Sequence, residues 1–183
     1  MQKQVIHIFG ASGAGTSTLG MYISKKMGYY FMDTDDYYWK KTDPPYMIKR
    51  KTSDIIKLIK RDIENNTKIV LSGSLVDWGD IFIPYFTLAI RIETDTELRI
   101  KRLRKREKEN YGNRIEKSGD MYEHYLKFIS WAASYDHGDL NMRSKAKHDQ
   151  WQKRLQCPLI ILDGSESIEN NFELIMKQND TLY

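Results

Sequence analysis

The sequence predicts a three-layer α/β domain: a parallel five-stranded sheet with a helical lid insertion. Three observations carry that reading. Short apolar runs alternate with stretches of helical periodicity, the pattern of βαβ units. The first run passes through a glycine-rich turn straight into a helix. From about 105 to 157 the alternation stops, and two helical patterns follow one another with no strand between them. That stretch reads as an insertion over one end of the sheet, a candidate lid.

Taken in order, Val5–Phe9 is the first strand. A helix starts near Thr16, with Leu19, Tyr22, Ile23 and Met27 on one face and Gly28 as its stop. Tyr29–Met32 is the second strand, ending in Asp33-Thr34-Asp35-Asp36. Residues 53–64 are helical, with Ile55, Ile56, Ile59 and Ile63 inward, Thr52 or Ser53 as cap and Asn65-Asn66 as end. Ile69–Leu71 and Leu88–Ile92 are strands. Thr94-Asp95-Thr96-Glu97 is a capping box that opens a basic helix running to about Glu109. A loop follows to Asp120, then an amphipathic helix to Tyr135, a break at residues 137–141 and a helical stretch from Ser144 to Leu155. Pro158–Leu162 is the last strand, and Asp163-Gly164-Ser165 leads into a final helix.

A chain of 183 residues is expected to form one domain with a sizeable core. Its 29 basic and 25 acidic residues leave a net charge of +4, too mild to argue for nucleic acid. One cysteine, Cys157, excludes an intrachain disulfide, fits a reducing compartment and reads as a small buried residue. The apolar runs fall far short of a membrane span, which needs about 20 residues. Met1-Gln2-Lys3-Gln4 leads directly into the first strand, leaving no room for a signal peptide. A cytoplasmic protein is the expectation.

The glycine turn is the strongest motif. Gly10-Ala11-Ser12-Gly13-Ala14-Gly15-Thr16-Ser17-Thr18 fits the phosphate-binding pattern G-x-x-x-x-G-K-[ST], except that Thr16 stands at the lysine position. Glycines let backbone N–H groups of residues 11–17 turn inward around phosphate oxygens, at the positive end of a helix. Ser17 is placed to ligate Mg²⁺, and Thr18 to add a hydroxyl near the α-phosphate. Losing the lysine removes a charge-assisted contact worth about 1.5–3 kcal/mol to binding. Either another cation substitutes, or turnover is slow, or the site only binds.

The run from Gly10 to Gly20, with Asp33–Trp39, Thr42–Pro45, Leu71–Ser74, Trp78–Asp80, Gly119–Met121, Trp131–Asp136 and Arg143-Ser144, resembles the small P-loop kinases of the nucleoside monophosphate kinase superfamily. Within it the chain is similar to a bacterial group labelled adenylate kinase-like or AAA-type. The resemblance covers nearly the whole chain. It implies the P-loop NTPase fold and nucleotide binding, makes threonine the group's usual residue at position 16, and leaves the substrate open.

The acidic cluster ends the second strand, at the edge where open parallel sheets bind ligands. It is similar to the Asp-x-Asp of shikimate kinase-like enzymes, which implies that Asp33 and Asp35 serve metal and acceptor. The alternative is an acidic turn, with Asp36 as a cap. Ser72-Gly73-Ser74 either lets an acceptor approach the backbone or is a tight turn. Tyr37, Tyr38, Trp39 and Trp78 either wall an acceptor pocket or pack a core.

Arginines hold phosphate oxygens bidentately and keep their charge. Arg102 and Arg106 share a helix face, with Arg99 and Arg104 on the same helix and Arg114 and Arg143 in the lid. In related kinases arginines from these elements contact transferring phosphates, and one here could replace the missing lysine. For most of them a solvated surface is the alternative. Lys49, Arg50 and Lys51 either bind an acceptor phosphate or merely precede a helix. His7 reads as a satisfied buried histidine, and His124, His137 and His148 lack zinc-ligand spacing. Asp163-Gly164-Ser165 resembles the loop passing the adenine base.

The expectation is an ATP- and Mg²⁺-dependent kinase acting on a small phosphate acceptor, a nucleotide or nucleoside. Residues 35–66 would hold the acceptor and 105–157 would form the lid. The alternatives are a nucleotide-binding regulatory module with little turnover and, less well supported, a nucleic-acid-binding protein.

Overall fold

The computed structural model describes residues 3–178. Met1 and Gln2, half of the segment behind the signal-peptide expectation, lie outside the described residues. Five strands form one all-parallel sheet: β1 (Gln4–Gly10), β2 (Tyr30–Asp33), β3 (Lys68–Ser72), β4 (Leu88–Glu93) and β5 (Leu159–Asp163), in the order β2-β3-β1-β4-β5. The helices are α1 (Thr16–Met27), α2 (Thr34–Tyr38), α3 (Thr52–Asn65), α4 (Thr96–Tyr111), α5 (Tyr122–Ala133), α6 (Lys145–Trp151) and α7 (Ile168–Gln178). Among the described residues no helix is long and apolar enough to cross a membrane.

Alternation along the strands builds two cores. Val5 and Phe9 face one way, against Ile55, Ile59 and Ile63 of α3 and against Phe82 and Trp151. Ile6 and Ile8 face the other way, against Leu19 and Ile23 of α1 and Ile175 of α7. Burying each such aliphatic side chain contributes about 1.5–3 kcal/mol, so these stripes fix the layers. A smaller cluster of Leu103, Ile129 and Ala132 joins α4 to α5.

Several boundaries differ from expectation because tertiary contacts claim the capping groups. Asp95, not Thr94, caps α4: its carboxylate accepts from Glu97 N–H at 2.7 Å, while the Thr94 hydroxyl donates to the Ala14 carbonyl at 3.2 Å. Neither Thr52 nor Ser53 caps α3. The Arg50 N–H donates to the Tyr38 carbonyl, and the chain turns helical directly after Lys51. The acidic stretch is itself a short helix, α2, capped by Asp33 rather than Asp36. A 3₁₀ helix over Asp80–Tyr85 carries Pro84 and shows no α-helical period to read. Cys157 is half-buried and free, with burial raising its thiol pKa.

The carboxyl ends of the strands meet at one level. Asp33 pairs with Ser72, and Ser72 with Ile8 two residues before Gly10. The loop, the acidic cluster and the Ser72–Ser74 turn therefore leave the sheet side by side.

Candidate active site

The glycine turn is held rigidly. A Cβ at Gly10 would lie 2.5 Å from the Ile92 carbonyl oxygen of β4, so only glycine passes there. Gly13 and Gly15 take φ of +81° and +106°, backbone that side chains rarely adopt. Ala14 spends its N–H on the Ala11 carbonyl at 3.1 Å, so it is not one of the inward-facing donors expected across residues 11–17. Gly10, Ala11, Ser12, Gly13, Thr16 and Ser17 line a cavity of about 600 Å³. Ala14 is buried in the core and Gly15 stands outside the lining. Thr18 is exposed and also outside it, turned away by the first turn of α1.

Asp33 and Asp35 line the same cavity and divide its acidic work. Asp33 accepts the Ser17 hydroxyl at 2.6 Å through Oδ2 and the Asp35 N–H at 3.0 Å through Oδ1. That joins two hard oxygen donors of the kind Mg²⁺ takes. Asp35 caps nothing. Burial first, then the neighbouring Asp33, raise its carboxyl above the usual range, while Arg143 and Arg106 pull it down.

The arginines separate. Arg143 donates from Nη2 to Ser12 Oγ at 2.7 Å and stacks over Trp131 at 4.5 Å from the ring centre. It is desolvated, which lowers its pKa, and Asp35 is the largest opposing influence. Arg106 lines the cavity, paired with Glu107 at 2.8 Å and set over Phe128. Arg102 does not line it: the cavity meets α4 in its C-terminal half, at Arg106, Glu107 and Tyr111, and Arg102 lies a turn too early. Arg99 is fully buried and structural. It donates to the Thr94 and Ala132 carbonyls at 3.0 and 3.1 Å and pairs with Asp136 at 2.9 Å. Arg114 pairs with Asp43 and Asp120.

Tyr38, Trp39 and Trp78 wall the cavity, joined by Tyr46, Phe128 and Trp131, which the sequence did not single out as walls. Tyr37 does not; its hydroxyl donates to Asp62 at 2.7 Å. Lys49 lies over the Tyr38 ring, whereas Arg50 spends its guanidinium on the carbonyls of Asp36, Tyr37 and Trp39. Gly73 has φ +111°, and a Cβ there would sit 1.8 Å from Thr34 Oγ1. A Cβ at Gly164 would sit 1.9 Å from Thr94 Oγ1 and 2.8 Å from the Ala14 carbonyl oxygen of the loop. His7 is only half satisfied: Nδ1 bonds the Leu71 carbonyl at 3.0 Å, and Nε2 has no partner among the described residues.

The parallel sheet and its glycine loop give the α/β P-loop kinase fold. The chain belongs to the AAA domain family, which matches residues 6–124 and so ends before Arg143. It is 37% identical over 174 residues to the uncharacterized protein YqaC of Bacillus subtilis (strain 168), covering 95% of this chain and 96% of that one. Deoxyadenosine kinase from M. mycoides with bound dATP has a similar structure: TM-score 0.54, 19% identity, 96% of this chain and 98% of that one. Shikimate kinase from Bacteroides thetaiotaomicron gives TM-score 0.52 at 15% identity over 96% and 97%. At these identities the likeness is one of fold.

Proposed function

We propose that the protein is an ATP-dependent, Mg²⁺-requiring phosphotransferase that moves the γ-phosphoryl group to a small acceptor, a nucleoside or nucleotide. One observation carries the reading: the Arg143 guanidinium sits on Ser12 of the phosphate loop, in the cavity that also holds Asp35. A cation stands at the loop although Thr16 occupies the lysine position. The deoxyadenosine kinase named above supports the acceptor class by fold alone.

The residues take the following roles. The loop N–H groups bind donor phosphates at the head of α1. Ser17 and Asp33, with Asp35 nearby, would hold Mg²⁺, which when bound neutralises charge on the phosphate oxygens. Among the described residues no group of three or more His, Cys, Asp or Glu side chains could hold a metal. Asp35 orients the acceptor hydroxyl and takes its proton; a raised pKa makes it a stronger base. Arg143, aided by Arg106, stabilises the transferring group, and the aromatic walls hold a flat acceptor and exclude water.

Thr16 favours a second reading, a nucleotide-binding module with little turnover. A coupled ADP-release assay across nucleosides, nucleoside monophosphates and shikimate separates the two. The kinase reading expects one acceptor to stimulate release well above background. Tight ATP binding by calorimetry with no stimulating acceptor would leave the module.

A further inference from the structure

A buried hydrogen-bond chain runs from the segment after α5 to the cavity floor. The Tyr135 hydroxyl lies 2.6 Å from His148 Nδ1, and His148 Nε2 lies 2.9 Å from Ser74 Oγ. Tyr135 and Ser74 are each 8% exposed and His148 is fully enclosed, yet Ser74 lines the cavity.

The direction of the chain follows from its chemistry. A phenol is a stronger acid than an imidazole N–H, and burial pushes the Tyr135 pKa up to about 12, so the hydroxyl keeps its proton. Among the described residues Tyr135 has no other hydrogen-bond acceptor than His148 Nδ1. Nδ1 therefore accepts, and the ring proton of neutral His148 sits on Nε2. That N–H donates to Ser74 Oγ. The Ser74 proton, which has no other partner among the described residues, is left to point into the cavity.

This donor lines the same cavity as the proposed base. Asp33 and Ser72 pair across β2 and β3, Gly73 abuts Thr34, and Asp35 and Ser74 both line the cavity beyond. Resting on the kinase reading, we propose that Ser74 is a specificity-determining residue that donates a hydrogen bond to a ring nitrogen or carbonyl oxygen of the acceptor, with His148 and Tyr135 as positioning residues that fix its polarity.

A site built to donate one hydrogen bond rejects ligands that cannot accept it, because the buried hydroxyl is then left unpaired. Tyr135→Phe removes the group that fixes the tautomer. His148 can then carry its proton on Nδ1, and Ser74 would donate inward to Nε2 instead of outward.

The test has two arms on the full chain. Imidazole ¹⁵N shifts report the His148 tautomer with no acceptor present. Nε2–H is expected in the native protein and a mixture in Tyr135→Phe; Nδ1–H in the native protein overturns the proposal. Calorimetry then measures binding of adenosine, deoxyadenosine, cytidine and shikimate in the presence of ADP. Ser74→Ala and Tyr135→Phe should each weaken the best binder roughly tenfold, the value of one buried hydrogen bond. The double variant should be no weaker than Ser74→Ala, and ADP affinity should be unchanged. Additive losses, an unaffected Kd, or no binder in the panel overturn the proposal. A binder that is never phosphorylated would instead remove the kinase reading and leave the Ser74 contact standing.

Discussion

Arg143 and Ser12 are 131 residues apart in sequence and joined by a 2.7 Å hydrogen bond from guanidinium to hydroxyl. The bond brings a desolvated cation onto the phosphate loop. Arg143→Ala should lower turnover about a thousandfold if the guanidinium stabilises the transferring group, as arginines do in phosphoryl transfer. Thr16→Lys in the native chain should change turnover less than about threefold, and in the Arg143→Ala background should raise it about tenfold, recovering part of that stabilisation. Steady-state kinetics of the four proteins check this. A large gain from Thr16→Lys alone would mean that the natural loop is under-charged.

Asp35→Asn should abolish acceptor-stimulated ADP release while ATP affinity stays within about twofold, since general bases act in the transition state. The acid limb of native kcat/KM should lie above the ordinary carboxylate range, because burial and Asp33 raise the Asp35 pKa. Activity therefore rises with pH through that limb as Asp35 gives up its proton. A limb at or below the ordinary range would remove Asp35 as base.

Gly73→Ala should cost about 2–4 kcal/mol, combining a strained φ with overpacking against Thr34. Gly15→Ala, at φ +106° but with open space where its Cβ would stand, should cost only the strain, about 1–2 kcal/mol. Urea denaturation of both variants measures the difference. Equal losses would mean that the Thr34 contact relaxes freely.

Stability should fall as pH drops below about 6.5, the value for an unperturbed histidine. Burial lowers His7 to about 4 and His148 to about 3, so both are neutral in the fold and protonate more readily once unfolded. Their contribution is complete above the unfolded value and is lost as pH falls toward the folded ones, at about 1.4 kcal/mol per pH unit for each histidine. Urea midpoints at pH 7.5 and 5.5 test the sign; a flat response would mean that neither ring is held neutral.

Periodicity carried most of the fold. Isoleucines at helical spacing place α3, and the Thr16 start and Gly28 stop of α1 are local signals. Caps were less legible because a hydroxyl's partner can lie anywhere: Thr94 is spent on Ala14, leaving Asp95 to cap α4. In the site, the loop and the two aspartates are written in contiguous residues. The roles of the arginines are not. Arg99, Arg102, Arg106 and Arg143 look alike in sequence, and only packing makes Arg99 a buried tie, leaves Arg102 off the cavity and brings Arg143 to Ser12. The Tyr135–His148–Ser74 chain was equally hidden, since no spacing rule joins residues from a turn, a helix and a 3₁₀ segment.

Arg143 closes a short stretch, residues 137–143, whose two ends are moored. Before it, Asp136 is gripped by Arg99. After it, the Ser144 hydroxyl bonds the Asp139 carbonyl, and α6 is fastened to the sheet by Arg91 on Asp149 and to the 3₁₀ helix by Trp151 on Asp80. A swing of the entire 105–157 region as one body would have to break the Arg99–Asp136, Arg91–Asp149 and Trp151–Asp80 ties together.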